Sequence, residues 1–273
     1  LLMLGLGRLA GRSLTHVSDL DIIYIFDAPQ GSMSDGRRSL SATDYYNRLA
    51  NRVTSAISVP TAAGRLYDVD TRLRPQGAKG MLAVSLEGFA EYQRSEAWTW
   101  EHMALCRSRP VRGSIDGRAR LEATVQSILE KPHDPFKVRA DAARMRDEMR
   151  RHKPSAGPLD IKLGRGGLVD LEFAIHTLQL VHGIGFDPAL ERAISALAEA
   201  GLIDGGLEAD LSLLSRMLVV LRLVSPSGEE PALQSHALIA SMCGQADWDA
   251  LLAAHLAARQ RVDAMWRQVR EAI

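Results

Sequence analysis

The texture of the sequence changes near Gly117, and this change limits the fold more than any other feature. Before it, short apolar or β-branched runs alternate with breaks rich in Gly, Pro and Asp. After it, Ala, Leu, Arg and Glu dominate at helical spacing, and strand-like alternation is gone. A period of two sends successive side chains to opposite faces of a strand, whereas a period near 3.6 gathers them on one stripe of a helix. One architecture cannot serve both stretches. The expected fold class is α+β, with strands and helices over residues 1–116 and an all-α helical bundle domain over residues 117–273.

In the first stretch, Leu1 to Leu6 reads as a strand buried on both faces, and Asp19 to Phe26 as a second strand. Gln30 to Thr43 is a polar loop, and Tyr46, Leu49, Val53 and Ile57 mark one side of a helix. Gly64 to Arg74 reads as a third strand stopped by Pro75. Gly77 to Gly80 forms a turn, Leu86 to Leu105 a helix, and Cys106 to Val111 a last strand. In the second stretch, helices are expected near 118–130, 136–152, 167–182, 188–200, 207–224, 231–242 and 247–271. Gly- and Pro-bearing connections separate them, including Pro226 to Pro231.

Charge and cysteine content exclude several classes. Lys plus Arg and Asp plus Glu both total 33, so a protein that coats nucleic acid or anionic lipid is not expected. Cys106 and Cys243 form no CxxC pair, which argues against a zinc ribbon or disulfide scaffold and fits a reducing, cytoplasmic setting. No apolar run is long enough to span a membrane. The chain opens on an apolar strand rather than a signal peptide, and reads as a piece of something longer.

The chemistry-bearing residues are carboxylates. Asp19 and Asp21 share one strand face, where a divalent cation would relieve their repulsion. The third strand repeats the arrangement, with Asp68, Asp70, Arg72 and Arg74 alternating against Tyr67, Val69, Thr71 and Leu73. If the two strands are neighbours, acids that hold metal and arginines that clamp phosphate converge, a combination suited to phosphoryl or nucleotidyl transfer. Each motif also has an ordinary reading, as a strand end with solvated carboxylates or an edge laced with salt bridges. Upstream, Gly5, Gly7 and Ala10 match G-x-G-x-x-A, the dinucleotide-binding fingerprint. Only Gly11 to Ser18 separate it from the next strand, too few residues for the crossover helix that this fold needs. Backbone N–H groups of Gly5 to Gly11 remain suited to phosphate oxygens.

These residues resemble the polymerase-beta-type nucleotidyltransferase superfamily, in which a glycine turn and short helix precede Asp-x-Asp, with a third Asp on a neighbouring strand. Gly7, eleven residues, then Asp19-x-Asp21 follows that pattern. The resemblance narrows over four ordered blocks: GLGRLAGRSLTHVSDLDIIYIFD, LYDVDTRLRPQGAKGMLAVS, EAWTWEHMALCRSRPV and IKLGRGGLVDLEF are similar to signatures of the glutamine synthetase adenylyltransferases. Enzymes of that family have two related halves, one adenylylating glutamine synthetase and one removing AMP by phosphorolysis. The EAWTWEH block resembles the adenylylating, C-terminal half.

The resemblance implies a nucleotidyltransferase-type mixed sheet with flanking helices. It implies Mg²⁺-dependent transfer of AMP from ATP to a tyrosine hydroxyl of glutamine synthetase, regulating nitrogen assimilation. Asp19, Asp21 and Asp70 would be the catalytic, metal-binding acids for two Mg²⁺ ions. Gly5, Gly7, Arg8, Gly11, Ser18, Arg72 and Arg74 would serve the nucleotide. Asp68, Lys162, Asp170 and Glu172 would support the site. Glutamine synthetase is the expected partner, with the PII signal protein acting on the complete enzyme. The sequence departs from the family pattern at Arg8 in place of lysine, at Ala10 and Ser13, and at His176 in place of glutamine. Arg8 keeps the charge without ammonium geometry.

Other readings stay open: a uridylyltransferase or a small-molecule or RNA nucleotidyltransferase of the same fold, the phosphorolytic activity, or a silent nucleotide-binding module. Trp98 and Trp100 are expected to pack in a core or between domains, with stacking on a base as the sharper alternative. Arg107 and Arg109 share a strand face and are expected to pair with acids. Arg144, Arg146, Arg150 and Arg151 read as a solvated helix face.

Overall fold

The computed structural model describes residues 1–62, 64–225 and 229–272. The fold is α+β, and the chain divides into two compact units. One comprises residues 1–131 with 186–189, and the other residues 132–185 together with those from Leu190 onward.

The first unit contains β1 (Leu2–Leu6), a one-turn α1 (Gly7–Ala10), β2 (Leu20–Phe26), α2 (Ala42–Ser58) and β3 (Val69–Asp70). It continues through β4 (Ala83–Ser85), α3 (Leu86–Ser95), α4 (Thr99–Leu105), β5 (Ser108–Arg112) and α5 (Ile115–Leu129). Helix α5 packs on β5 and α3, so this unit extends past residue 116. The mixed sheet runs β3-β2-β1-β5, and β4 also pairs with β2. Strand β1 is antiparallel to β2 and β5, whereas β3 and β4 run parallel to β2. Strand β3 pairs at Leu20 and Asp21, and β4 at Tyr24 to Phe26, so the two short strands share one edge of β2. Parallel pairing needs a crossover, which α2 supplies. An antiparallel β1–β2 pair and a four-residue α1 leave no βαβ unit around Gly5, Gly7 and Ala10, which closes the dinucleotide-fingerprint reading.

Strand β2 is buried on both faces. Leu20, Ile22, Tyr24 and Phe26 form a cluster with Ala50, against which Tyr46, Val53 and Ile57 of α2 pack. On the other face Ile23 and Ile25 lie opposite Leu4 and Leu2. Two apolar faces explain the unbroken run IIYIF, and Asp21 precedes it on the second face.

Two elements differ from the sequence reading. The long third strand shrinks to Val69–Asp70, because the chain turns immediately afterwards: the Arg72 backbone N–H donates to Asp70 Oδ1 at 2.8 Å. Pro75 lacks an N–H, and Gln76 adopts φ +60°. Arg72 and Arg74 therefore do not continue a strand face. The helix expected over Leu86 to Leu105 breaks into α3 and α4. Glu101 folds back so that its Oε2 accepts from the Trp98 backbone N–H at 2.9 Å and from the Tyr92 hydroxyl at 3.2 Å, which starts a new helix. Trp98 is 60% exposed, so it does not pack in the core of its unit.

The second unit contains α6 (Pro135–His152), α7 (Leu168–His182), α8 (Leu190–Glu199), α9 (Leu207–Val224), α10 (Leu233–Met242) and α11 (Trp248–Glu271). The Pro226 to Pro231 connection lies partly outside the described residues. Helix α7 is apolar nearly all round and packs against α6, α8, α9 and α11, as a central helix must. Arg146 corrects the solvated-face reading of the arginine run: it is fully buried, and its Nε donates to Asp170 Oδ1 at 2.6 Å.

Candidate active site

The site is built where β1 ends beside the start of β2. At Gly7 the backbone takes φ +51° to turn from β1 into α1, and a Cβ there would lie 3.1 Å from Asp21 Oδ2. Glycine thus permits both the turn and the close approach of backbone to carboxylate. The Gly7 N–H donates to the Arg107 carbonyl at 2.9 Å. Gly5 lies in β1 opposite Ile22 and Arg109. At Gly11 a Cβ would meet the Pro188 carbonyl oxygen at 2.6 Å, so packing alone excludes a side chain there.

The parallel register places Asp21 directly opposite Asp70, and Leu20 N–H donates to the Asp68 carbonyl at 2.8 Å. Cross-strand partners share a face, so two of the three expected acids come together. Asp19 is exposed, one residue ahead of β2. Asp70 is held by Arg72: its carboxylate accepts from Arg72 Nε at 3.0 Å on both oxygens, and from Arg72 Nη2. The Arg72 hydrogen bonds hold the Asp70 carboxyl below its ordinary pKa against the opposing effect of burial. Asp70 first, and then the charges of Asp19 and Asp21, push the pKa of Arg72 up. Among the described residues, no three His, Cys, Asp or Glu side chains stand in a metal-holding group. Asp70 faces the guanidinium instead.

The remaining predicted residues take varied positions. The Ser18 hydroxyl accepts from the Thr15 N–H at 2.9 Å and closes the turn that delivers Asp19. Arg8 Nη1 donates to the Ser13 carbonyl at 3.4 Å. Arg74 ties its own loop together, donating to the carbonyls of Thr71 at 2.8 Å, Gly80 at 3.1 Å and Ala78 at 3.2 Å. Asp68 pairs with Arg65 three residues before it. Lys162, Asp170 and Glu172 belong to the second unit. There the buried Asp170 carboxylate accepts from Arg146, from Arg150 Nη2 at 3.1 Å and from the Gly166 N–H at 2.6 Å, a structural hub at the start of α7. The exposed Lys162 donates its backbone N–H to Asp160 Oδ1 at 3.1 Å. Glu172 is half-buried.

The arginines of the β5 segment have a role that sequence reasoning did not anticipate. They grip the carbonyl end of α1. Arg109 Nε donates to the Ala10 carbonyl at 3.0 Å, and Arg107 Nη2 to Ser13 Oγ at 2.9 Å. The signal was present, since alternate arginines on the strand beside β1 lie next to a helix end that has free carbonyls.

Comparison with known proteins bears on this arrangement. Residues 1–124 match the family model described as glutamate-ammonia ligase adenylyltransferase, and residues 136–269 match that of GlnD PII-uridylyltransferase. A curated bifunctional glutamine synthetase adenylyltransferase/adenylyl-removing enzyme of Mesorhizobium japonicum is 42% identical over 207 residues, covering 73% of this chain and 21% of the relative. The chain belongs to the glutamine synthetase adenylyltransferase family. A relative of the same name from Brucella suis is 40% identical over 215 residues, 76% of this chain and 22% of the relative. One from Bradyrhizobium sp. is 46% identical over 182 residues, 66% and 18% respectively. The chain thus spans about a fifth of the length of these adenylyltransferases.

Proposed function

We propose that this chain is an adenylylating half that transfers AMP from ATP to a tyrosine hydroxyl of glutamine synthetase. The observation that carries the reading is the register of Asp21 against Asp70, with the Gly7 backbone closing on Asp21. In-line attack by the tyrosine oxygen forms an O–P bond at the α-phosphorus and breaks the bond to the bridging oxygen, releasing pyrophosphate. The donor chemistry suits Mg²⁺, because Asp19, Asp21 and Asp70 offer only hard carboxylate oxygens. Two such ions, when bound, would neutralise triphosphate charge and lower the pKa of the attacking hydroxyl.

Arg72 is the mobile partner in this reading. It is exposed and forks onto Asp70, and a phosphate offers the same bidentate geometry. Transfer of Arg72 to phosphate frees Asp70 for ligation, or to take the tyrosine proton. Gly5, Gly7, Arg8, Gly11 and Ser18 shape the loop around the triphosphate, while Arg74 keeps the Asp70 loop closed. No helix among the described residues is long and apolar enough to cross a membrane, and the reading places the reaction in the cytoplasm with its ATP. In the complete protein, we infer that PII controls this half. The PII-uridylyltransferase match over the helical region supports that inference.

The relatives' names also carry an adenylyl-removing activity, which makes phosphorolysis the second reading. In it, a phosphate oxygen attacks the phosphorus of the tyrosine-linked AMP, the bond to the tyrosine oxygen breaks, and ADP and the free hydroxyl are the products. The test supplies glutamine synthetase, Mg²⁺ and α-labelled ATP to the chain. Label transfer is expected, and Asp19→Asn or Asp21→Asn should reduce it at least a hundredfold with an unchanged circular dichroism melt. Full transfer by either variant overturns the site. Release of ADP from adenylylated enzyme and phosphate, without forward transfer, selects the second reading.

A further inference from the structure

On the helical unit, the ends of α7 and α11 and the 202–207 connection line an open pocket of about 370 Å³, a size that suits a small ligand. Its walls are mainly hydrocarbon, from Leu178, Leu202, Ile203, Met265 and Val269. Polar residues also line it: the half-buried Arg139 and, at its rim, the exposed His182, Asp204, Arg261 and Gln268. Arg139 Nε donates to the Val269 carbonyl at 3.1 Å, which fixes the guanidinium at the wall. Among the described residues, no hydrogen bond or ion pair engages the rest of that guanidinium or the side chains of His182, Asp204 and Gln268. Arg261 is by contrast taken up by the buried Asp210, with Nε 2.9 Å from Oδ2.

An unpaired surface arginine is ordinary on its own. Uncommitted donors gathered in an apolar concavity are the usual composition of a ligand site. Burial, then the Arg139 charge, push the pKa of His182 down, so near neutral pH the imidazole offers a hydrogen bond rather than a second cation. Arg139 is therefore the one cation without an ion-pair partner among the described wall residues. Its planar fork matches a carboxylate, while Asp204 repels a second negative charge. We propose that this pocket binds a small monocarboxylate, its acid group on Arg139 and its hydrocarbon chain on Leu178, Ile203 and Met265.

The test titrates the chain with 4-methylpentanoate, its uncharged amide and methylsuccinate, followed by ¹H–¹⁵N NMR of the Arg139 Nε–H and the Gln268 side-chain amide. Saturable shifts are expected with the monoacid, with at least tenfold weaker binding of the amide and the diacid. Arg139→Gln should weaken the monoacid at least tenfold. Ala264→Leu, at an exposed helical position in the wall, should block it without lowering the melting temperature, and decides alone if Arg139→Gln fails to fold. Asp21→Asn should bind like the parent, which separates this site from the transfer reaction. No saturable shift with the monoacid, equal binding of the amide, or undiminished binding by the folded variants overturns the proposal.

Discussion

Asp70 shows how one neighbour sets what a carboxylate can do. With Arg72 on both oxygens, its pKa is depressed, so it is a weak proton acceptor until the guanidinium leaves. Arg72→Gln should return the Asp70 pKa toward its ordinary value near 3.8, read by ¹³C NMR titration, and raise KM for ATP about tenfold. The linkage has a definite sign. A depressed carboxyl pKa stabilises the fold fully above the unfolded value and loses that contribution as pH falls through the folded value. The variant should therefore lose less stability below pH 4.

His255 behaves differently. Burial, then the Arg259 charge, lower its pKa from 6.5 to about 4. Between those values the unfolded chain binds the proton and the folded chain does not, so stability falls as pH drops from 6.5 to 4. The expected loss is about 3 kcal/mol. Urea denaturation at several pH values checks it, and His255→Leu should flatten that dependence.

At the scale of elements, α1 depends on its neighbours. One turn of helix cannot hold itself in water, and Arg109 secures its carbonyl end. Arg109→Ala should cost about 1–2 kcal/mol from lost hydrogen bonds and raise KM for ATP more than it lowers kcat, because the glycine loop loosens. A drop in kcat with unchanged KM would count against this role. The longer helices were legible because their ends are signalled locally. Ser41, Ser114 and Asp247 cap α2, α5 and α11, and Asp134 with Pro135 opens α6. The short strands were not. Strand β4 is three residues long and exists because it meets the edge of β2. Strand β3 ends where Asp70 captures its own downstream backbone, a contact that alternation cannot show.

At the scale of the molecule, the helical unit is organised around a buried charge. Asp170 answers Arg146, Arg150 and the Gly166 N–H together. Asp170→Asn leaves Arg146 buried without its counter-charge, a change worth about 3–5 kcal/mol. Denaturation followed by the fluorescence of Trp266, which packs edge-on against Phe173, should report the loss. Arg146→Met with Asp170→Leu should recover most of it, since an apolar pair removes the unpaired charge. An Asp170→Asn protein as stable as the parent would refute the hub.

The sequence by itself determined the α+β class, the helices of the second unit, the two acids flanking Leu20 and the family. Each depends on local periodicity, capping or ordered blocks, which neighbours along the chain encode. Tertiary structure decided that Asp70 stands opposite Asp21 yet faces Arg72, that Arg74 closes its own loop, and that Arg109 holds α1. It also separated Arg146 from its solvated neighbours and turned Asp170 inward. Those outcomes depend on which strand edges pair and which charges lose their water. Residues far apart in sequence settle such questions only once the chain has closed around them.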